Sequence, residues 1–170
     1  MSNQQIYLGD CLQIMKNLSD KSIDMICCDL PYGKTNCKWD TVIPFEPLWA
    51  EYKRVIKDNG CIALFGSEPF SSKLRLSNLS DYKYDIYWEK EKPTNFFQLK
   101  RRVGRVTENI CIFYKKQCTY NPQMVRHEGK PVTNKPSKSK KFESIVSGTS
   151  KTEIKAYTDT GYRYPTDILK

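Results

Sequence analysis

Residues 23–33 of this 170-residue chain read Ile-Asp-Met-Ile-Cys-Cys-Asp-Leu-Pro-Tyr-Gly. The largely apolar run from 23 to 28 is typical of a short buried strand, and it ends at the carboxylate of Asp29. Ligands of open α/β sheets bind beyond the carboxyl ends of the strands. Pro31 restricts the backbone at this point, and Tyr32 adds a flat ring with a polar tip. An acceptor, a rigid turn and a stacking face together suit a planar ring that carries an amino group.

Strand-like and helix-like patterns alternate around this segment. Apolar runs predict strands at 6–8, 22–29, 61–65, 84–89 and 109–114. Helical spacing predicts helices at 10–18, 47–57 and 69–79, the second ended by the turn-forming residues 58–60. Residues 33–42 have no period and are predicted to form a loop over the site. This order predicts an α/β domain with a largely parallel sheet.

Three segments, in this order, carry a resemblance to a known family. They are Gly-Asp-Cys at 9–11, Leu-Ser-Asp-Lys-Ser-Ile-Asp at 18–24 and Asp-Leu-Pro-Tyr-Gly at 29–33. Together they resemble the opening of the DNA amino-methyltransferases, which methylate adenine N6 or cytosine N4 with S-adenosylmethionine. The early position of the third segment is similar to the permuted beta class, and the resemblance covers roughly residues 6–115. It implies an incomplete Rossmann-like methyltransferase sheet, mostly parallel, with an antiparallel edge pair.

The resemblance assigns the catalytic roles to residues 29–32. The Asp29 side chain and the backbone carbonyl of Leu30 would accept the two hydrogens of the base's amino group. Pro31 would hold the direction of that carbonyl, and Tyr32 would stack on a base flipped out of the duplex. Family members usually have proline where this chain has Leu30, a change that keeps the carbonyl. Aspartate at position 29 resembles the adenine-modifying members more than the cytosine-modifying ones. The resemblance therefore implies a site-specific methyltransferase, of the kind found in restriction-modification systems, that favours adenine N6 over cytosine N4.

The same resemblance places the methyl donor near Asp10, Asp29 and Phe65. Asp10 lies in a segment similar to the family's acidic turn near the adenosine part of S-adenosylmethionine. An ordinary helix N-cap is the alternative for Asp10, because aspartate is among the best capping residues. Phe65 ends a predicted strand that should border the same cleft, and a purely structural role is equally open to it.

The net charge of +9 is concentrated in one half of the chain. Residues 1–98 hold 12 basic and 13 acidic side chains, whereas residues 99–170 hold 16 and 6. We therefore divide the chain into a partial catalytic core, 1–117, and a basic region similar to a target-recognition region, 118–170. A solvated basic face is the alternative to double-stranded DNA as the partner. The predicted DNA contacts are Lys100, Arg101, Arg102, Arg105, Arg126, Lys130, Lys138, Lys140 and Lys141.

One expected family motif is missing. A Gly-x-Gly turn should wrap the methionine end of the donor, and none of the eight glycines is spaced in this way. The chain therefore resembles a methyltransferase shortened before that motif, with a gap in its sheet that a second copy or a partner chain would cover. Two alternatives remain open: a catalytically inactive derivative that binds nucleic acid or protein, and one half of a split methyltransferase.

Composition narrows the remaining classes. The seven cysteines include no Cys-x-x-Cys pair and His127 is the only histidine, which argues against a metal site. No stretch approaches the length of a membrane span, and the first residues do not form a signal peptide. Reduced thiols and a DNA partner predict a cytoplasmic protein of a bacterial or phage-infected cell.

Overall fold

A computed structural model describes residues 4–126, 133–134, 157–158 and 161–170. The chain divides into two compact units, Met1–Tyr120 with Thr166–Lys170, and Asn121–Pro165. The boundary predicted at 117/118 stays a prediction. The elements of the first unit are α1 (Cys11–Met15), β1 (Ile23–Asp29), α2 (Phe45–Val55), β2 (Ile56–Gly66), α3 (Phe70–Ser77), β3 (Tyr82–Glu89), a 3-10 helix (Phe96–Gln98) and β4 (Thr107–Phe113). The remaining elements are the short strands β5 (Val125–Arg126), β6 (Thr133–Asn134), β7 (Tyr157–Thr158), β8 (Tyr162–Arg163) and β9 (Ile168–Leu169).

A five-stranded mixed sheet in the order β1-β2-β4-β3-β9 forms the frame of the first unit. β1 and β2 run parallel, β4 is antiparallel to both β2 and β3, and β9 adds to β3 in the parallel direction. In the second unit β5 pairs with β8 and β6 with β7, both antiparallel. β9 is a two-residue strand that the sequence pattern did not predict.

Helices α2 and α3 cover one face of the sheet. The apolar positions of α2 recur with helical spacing, so that Leu48, Trp49 and Tyr52 all face the sheet and are buried. The ring of Trp49 lies 4.8 Å from that of Phe113 on β4, measured between centroids. Burying each such side chain stabilises the fold by about 1.5–3 kcal/mol. A smaller cluster around Ala63, Ile110 and Ile112 occupies the opposite face.

A charged network fastens α3 to the sheet. Arg75 donates to Asp85 on β3 at 2.6 Å and to Glu68 before α3 at 2.5 Å. Asn109 on β4 also donates to Asp85, at 3.0 Å. The Asp85 carboxylate is buried, and these partners supply the hydrogen bonds that its burial requires.

Residues 6–8, predicted as a strand, do not form one, and the prediction was wrong. Ile6 and Leu8 are fully exposed, and a strand without a partner leaves its backbone groups unpaired. β1 is consequently the outermost strand, with no partner on its outer side among the residues that the structure describes. The gap expected in the sheet therefore corresponds to an open edge along β1 in the described part of the chain.

Two further element boundaries differ from the predictions. The helix predicted for 10–18 ends at Met15, because the last amides bond three residues back and tighten into turns. Residues 58–60 were predicted to end α2, but α2 ends at Val55 and these residues lie inside β2. They form a bulge there, since Ile23 pairs with Ile56 whereas Met25 pairs with Cys61. A Cβ at Gly60 would lie 2.9 Å from the carbonyl oxygen of Asp24, so the bulge requires glycine.

Within the described part of the chain, no helix is long and apolar enough to cross a bilayer.

Candidate active site

The carboxyl ends of β1 and β2 lie side by side, and the candidate cavity begins at the end of β1, whereas Phe65 at the end of β2 is not among its lining residues. Asp29, the last residue of β1, pairs with Phe65 on β2, which in turn pairs with Ile110 on β4. The Asp29 side chain is exposed, whereas Phe65 is half-buried and packs edge-on against Trp88 with ring centroids 6.1 Å apart. This is the sheet edge at which open α/β sheets bind ligands.

The four residues predicted to be catalytic surround one cavity. It measures about 290 Å³ and is lined by Asp29, Leu30, Pro31, Tyr32, Lys34, Thr35, Trp39 and Asp40. The Leu30 side chain points into the core and is 5% exposed. Only the backbone of Leu30 is therefore available to a ligand. The volume is at the small end for a ligand pocket and suits a single ring system.

Tyr32 connects the cavity to the core and to Asp29. Its ring stacks on Phe70 with centroids 5.0 Å apart and planes inclined by 28°. Its hydroxyl donates a hydrogen bond of 2.5 Å to Oδ1 of Asp29. Burial and this hydrogen bond raise the pKa of Tyr32 well above its usual range, so the hydroxyl stays protonated and remains a donor. The ring is half-buried and still forms part of the cavity wall.

Asp40 organises residues 30–40, which we call the site loop. Its Oδ1 accepts from the amide of Gly33 at 2.8 Å, and its Oδ2 accepts from those of Lys34 and Thr35 at 2.8 and 2.6 Å. The hydrogen bonds from Thr35, followed by those from Gly33 and Lys34, lower the pKa of the Asp40 carboxyl to about 2. Gly33 has a φ of +67°, in the left-handed region that favours glycine, which lets three successive amides converge on one carboxylate.

Lys34 ties the site loop to the end of β2. Its Nζ donates to the carbonyl and the hydroxyl of Ser67 at 3.0 and 2.6 Å, and to the carbonyl of Glu68 at 2.5 Å. Burial lowers the pKa of Lys34, and the positive charge of Arg105 lowers it further. Arg105 therefore lies within electrostatic reach of the site loop, although the two are about seventy residues apart in sequence.

The predicted donor-binding residue Asp10 caps a helix that begins near the same edge. Its Oδ1 accepts from the amide of Gln13 at 3.0 Å, so the N-cap role is real and leaves Oδ2 available. Burial raises the pKa of the Cys28 thiol, and Cys11 at the start of α1 raises it further. Leu12 and Met15 of α1 pack against the same core cluster as Cys28 of β1. Among the described residues no cluster of His, Cys, Asp and Glu could hold a metal ion.

The predicted DNA contacts fall into three groups. Lys100, Arg101, Arg102 and Arg105 lie in residues 90–106, the hairpin loop that joins β3 to β4, and all four are exposed. Arg126 is exposed on β5 in the second unit. The others lie outside the described residues, namely Lys130, Lys138, Lys140 and Lys141.

Sequence reasoning missed several residues of the site. Lys34 and Asp40 were treated only as part of the loop predicted for 33–42, Trp39 was not considered, and Phe70 was treated only as part of the helix predicted for 69–79. The partners of Asp40 are backbone amides, which have no signature in the sequence. The one available signal was Gly33, a glycine directly after a Pro-Tyr pair, which is typical of a tight turn.

Comparisons with known proteins agree on one family. A family model described as DNA methylase matches residues 23–168. Type II methyltransferase M2.MboI of Moraxella bovis is 28% identical over 124 residues, covering 58% of this chain and 45% of that protein. The crystal structure of an M1.HpyAVI–SAM complex matches 80% of this chain and 63% of that one, with a TM-score of 0.51 and 26% identity.

A further similarity concerns the fold alone. The PvuII cytosine-N4-specific DNA methyltransferase matches with a TM-score of 0.51 at 12% identity, over 69% of this chain and 51% of that one. These neighbours confirm the predicted incomplete Rossmann-like methyltransferase sheet. The chain spans about half the length of the curated relative that it matches.

Proposed function

Because the chain belongs to the family of DNA methylases that modify adenine N6 or cytosine N4, we propose that it methylates the exocyclic amine of a base that is flipped into the cavity. Adenine N6 is the favoured target over cytosine N4. The observation that carries the proposal is the exposed Asp29 carboxylate at the end of β1, in one cavity with the Leu30 backbone and the Tyr32 ring. Double-stranded DNA in the cytoplasm of a bacterial or phage-infected cell is the proposed substrate.

Two acceptors prepare the amine for reaction. An aromatic amine is a poor nucleophile, because its lone pair is delocalised into the ring. Acceptors on both of its hydrogens favour a more pyramidal nitrogen and stabilise the positive charge that develops on it. The Leu30 carbonyl is one acceptor, and Oδ2 of Asp29 is the other. Tyr32 occupies Oδ1, and no described residue donates to Oδ2, so Tyr32 orients the carboxylate without blocking it.

The Tyr32 ring holds the base after it leaves the duplex. Flipping a nucleotide costs a few kcal/mol, and stacking on an aromatic side chain returns about 1–3 kcal/mol. Phe70 supports one side of the Tyr32 ring, which keeps the ring in place for the base. Trp39, 75% exposed at the cavity wall, offers a second apolar surface.

S-adenosylmethionine is the proposed methyl donor, since M1.HpyAVI was crystallised with SAM. The donor supplies an electrophilic methyl group. The side chains of Asp10 and Phe65 fit its adenosine end chemically, as a carboxylate for hydroxyl hydrogens and a ring for the base, while Asp29, whose Oδ2 accepts from the target amine, is the proposed residue between donor and target base. Oδ2 of Asp10 is the acceptor that remains for the adenosine end.

DNA phosphates are the proposed partners of the exposed cations. Lys100, Arg101, Arg102 and Arg105 lie on the hairpin loop, which leaves the same edge of the sheet as the site loop. Arg126 is a further proposed contact in the second unit, together with the lysines at 130, 138, 140 and 141. Phosphate contacts of this kind supply affinity that does not depend on sequence.

The open edge of β1 supports a second proposal, that a second copy or a partner chain completes the sheet. Along the described residues, β1 has no neighbour on its outer side, and Met25 and Cys27 on it are exposed. Unpaired strand edges readily accept another strand. A concentration-dependent dimer in sedimentation, with amides of β1 that gain protection from hydrogen exchange, would support this proposal. A monomer whose β1 amides are fully protected at low concentration would contradict it.

Nucleoside analysis tests the proposed activity. Purified chain is incubated with S-adenosylmethionine carrying a labelled methyl group and with unmethylated genomic DNA, which is then digested to nucleosides. We expect the label in N6-methyladenine, and far less of it in a parallel reaction of the same duration with Asp29→Ala. Label in N4-methylcytosine would correct the base preference. If calorimetry detects no binding of millimolar donor and no label enters DNA, the chain alone does not catalyse transfer, and the non-catalytic derivative or the split enzyme takes precedence.

A further inference from the structure

The tip of the hairpin loop exposes an aromatic pair to solvent. Phe97 is 89% exposed and Phe96 57%, and their ring centroids lie 3.9 Å apart. Val103 on the same loop is 88% exposed. Single exposed apolar residues are ordinary on protein surfaces, but an adjoining group of them marks a surface that binds something.

This tip is held in shape by its neck. The side chain of Asn95 donates to the carbonyl of Val103 at 3.0 Å and accepts from the amide of Arg105 at 2.7 Å. The amide of Thr94 donates to the carbonyl of Arg105 at 3.0 Å. The 3-10 helix Phe96–Gln98 then presents the aromatic pair. The rings are consequently presented before any partner arrives, which lowers the entropic cost of binding.

Three cations follow the aromatic pair and have no acidic partner within the part of the chain that the structure describes. Lys100, Arg101 and Arg102 follow the 3-10 helix, and none of them forms an ion pair with any described residue. The only carboxylate within the hairpin loop itself is Glu91. Such cations can contact DNA phosphates while an exposed aromatic ring beside them enters the base stack.

The hairpin loop also leaves the sheet at the edge that carries the candidate site. Asp29, Phe65 and Ile110 form one row across β1, β2 and β4, and β4 begins three residues beyond that row, at Thr107. At about 3.3 Å per residue, the neck of the loop stands roughly 10 Å above the level of Asp29. A duplex seated on the cavity would therefore meet the tip.

We propose that Phe97 is an apolar wedge that enters the base stack beside the nucleotide taken into the cavity, while Lys100, Arg101 and Arg102 hold the adjacent phosphates. This inference rests on the proposed function, because it takes duplex DNA as the partner. Apolar side chains inserted between base steps are a known means of unstacking a duplex. The wedge would fill the space that the flipped base leaves, and so keep the base from returning.

The test compares two duplexes of identical sequence, one intact and one with a single abasic nucleotide, in fluorescence anisotropy titrations. The abasic duplex already contains the space that the wedge would fill. We expect the chain to bind it about tenfold more tightly than the intact duplex. Phe97→Ala should bind the abasic duplex no more tightly than the intact one, to within about twofold. Val103→Ala is the matched control, an equally exposed apolar residue of the same loop, and should keep the full preference.

Each other result overturns the wedge. If Phe97→Ala keeps the preference and Tyr32→Ala loses it, the discrimination belongs to the cavity. If the chain binds the intact duplex but does not prefer the abasic one, the wedge is wrong while the proposed methylation of DNA stands. If the chain binds neither duplex, the DNA partner of the proposed function fails together with the wedge.

Discussion

Two loops leave the same edge of the sheet and use their polar side chains in opposite ways. In the site loop, the Asp40 carboxylate is buried against three backbone amides, and the Lys34 ammonium is held by three oxygens at the end of β2. In the hairpin loop, the side chains used internally lie at the base and neck, where Lys90 pairs with Glu108 and Thr94, Asn95 and Arg105 bond across the neck, whereas the cations at the tip are exposed. The polar side chains of the first loop fix its geometry, and we propose that those at the tip of the second contact a partner.

This difference shows that residue type alone does not assign a role. Lys34 and Lys100 are chemically identical, yet one is a structural tie inside the site and the other a free charge. What separates them is the supply of acceptors, since the carbonyls of Ser67 and Glu68 just after β2 accept from Lys34, whereas no described residue accepts from Lys100. Substitutions in the two loops should therefore affect different measurements, rate in the first and affinity in the second.

Removing the Asp40 carboxylate should have the largest effect of the variants outside residues 29–32. Asp40→Ala leaves the amides of residues 33–35 without their acceptor, so the turn that carries Tyr32 loses its shape. Small displacements of positioned groups cost about 100-fold in rate, and we expect a loss of that size in single-turnover methyl transfer. Thr41→Ala, a neighbour whose hydroxyl bonds only to the carbonyl of Lys38, is the matched control. Equal rates in the two variants would show that the site does not need the hydrogen bonds that Asp40 accepts.

Tyr32 allows its ring and its hydroxyl to be separated. Tyr32→Ala removes the stacking face, worth about 1–3 kcal/mol per base, and should lower the rate about 10- to 100-fold. Tyr32→Phe keeps the ring and removes only the hydrogen bond to Asp29, so its loss should be smaller. If the phenylalanine variant is as impaired as the alanine variant, orientation of Asp29 outweighs stacking.

The free energy of unfolding in acid should depend on the hydrogen bonds that Asp40 accepts from the site loop. The folded pKa of Asp40, about 2, lies below its usual value of 3.8. Its contribution to stability is therefore complete above the usual pKa and is lost as the pH falls through the folded value. We expect the free energy of unfolding, measured with urea, to fall more steeply between about pH 4 and 2 in the parent chain than in Asp40→Asn. Parallel curves for the two proteins would contradict the assignment.

Single charge removals on the hairpin loop should have the smallest effects. Lys100→Ala, Arg101→Ala and Arg102→Ala should each weaken DNA binding a few-fold and reduce the slope of log affinity against log salt by about 0.9. The rate of methyl transfer at saturating DNA should not change. Lys83→Ala, an exposed lysine on β3 at the opposite end of the sheet, should leave the salt slope as it is. A slope that responds equally to Lys83→Ala would remove the special role of the loop.

Local patterns predicted the elements that are decided locally, and failed where distant partners decide. The apolar run before Asp29 and the helical spacing of Leu48, Trp49 and Tyr52 were sufficient to predict β1 and α2. Residues 6–8 have an equally good strand pattern, but a strand requires a neighbour and they have none in the described fold. The turn-like residues 58–60 became a bulge, because the pairing of β2 with β1 outweighed their local preference.

The residues of the candidate site show the same difference between features decided locally and features decided by distant partners. Asp29 and Tyr32 could be proposed from sequence because a strand end followed by a proline turn has few geometries. The support behind them could not, because Asp40 bonds to backbone amides and Phe70 reaches Tyr32 from a helix nearly forty residues away. The hydrogen bond from Tyr32 to Asp29 is a further property of the folded turn that the four letters do not contain.

The most direct measurement of the central claim is the single-turnover rate of methyl transfer for the parent chain, Asp29→Asn and Asp29→Ala, with DNA affinity measured alongside. Asparagine keeps one acceptor oxygen and alanine keeps none. We predict that the rate falls in that order, by about 100- to 1,000-fold for alanine, while the three affinities agree to within about twofold. An alanine variant that methylates DNA as fast as the parent chain would contradict the claim that Asp29 holds the reacting amine.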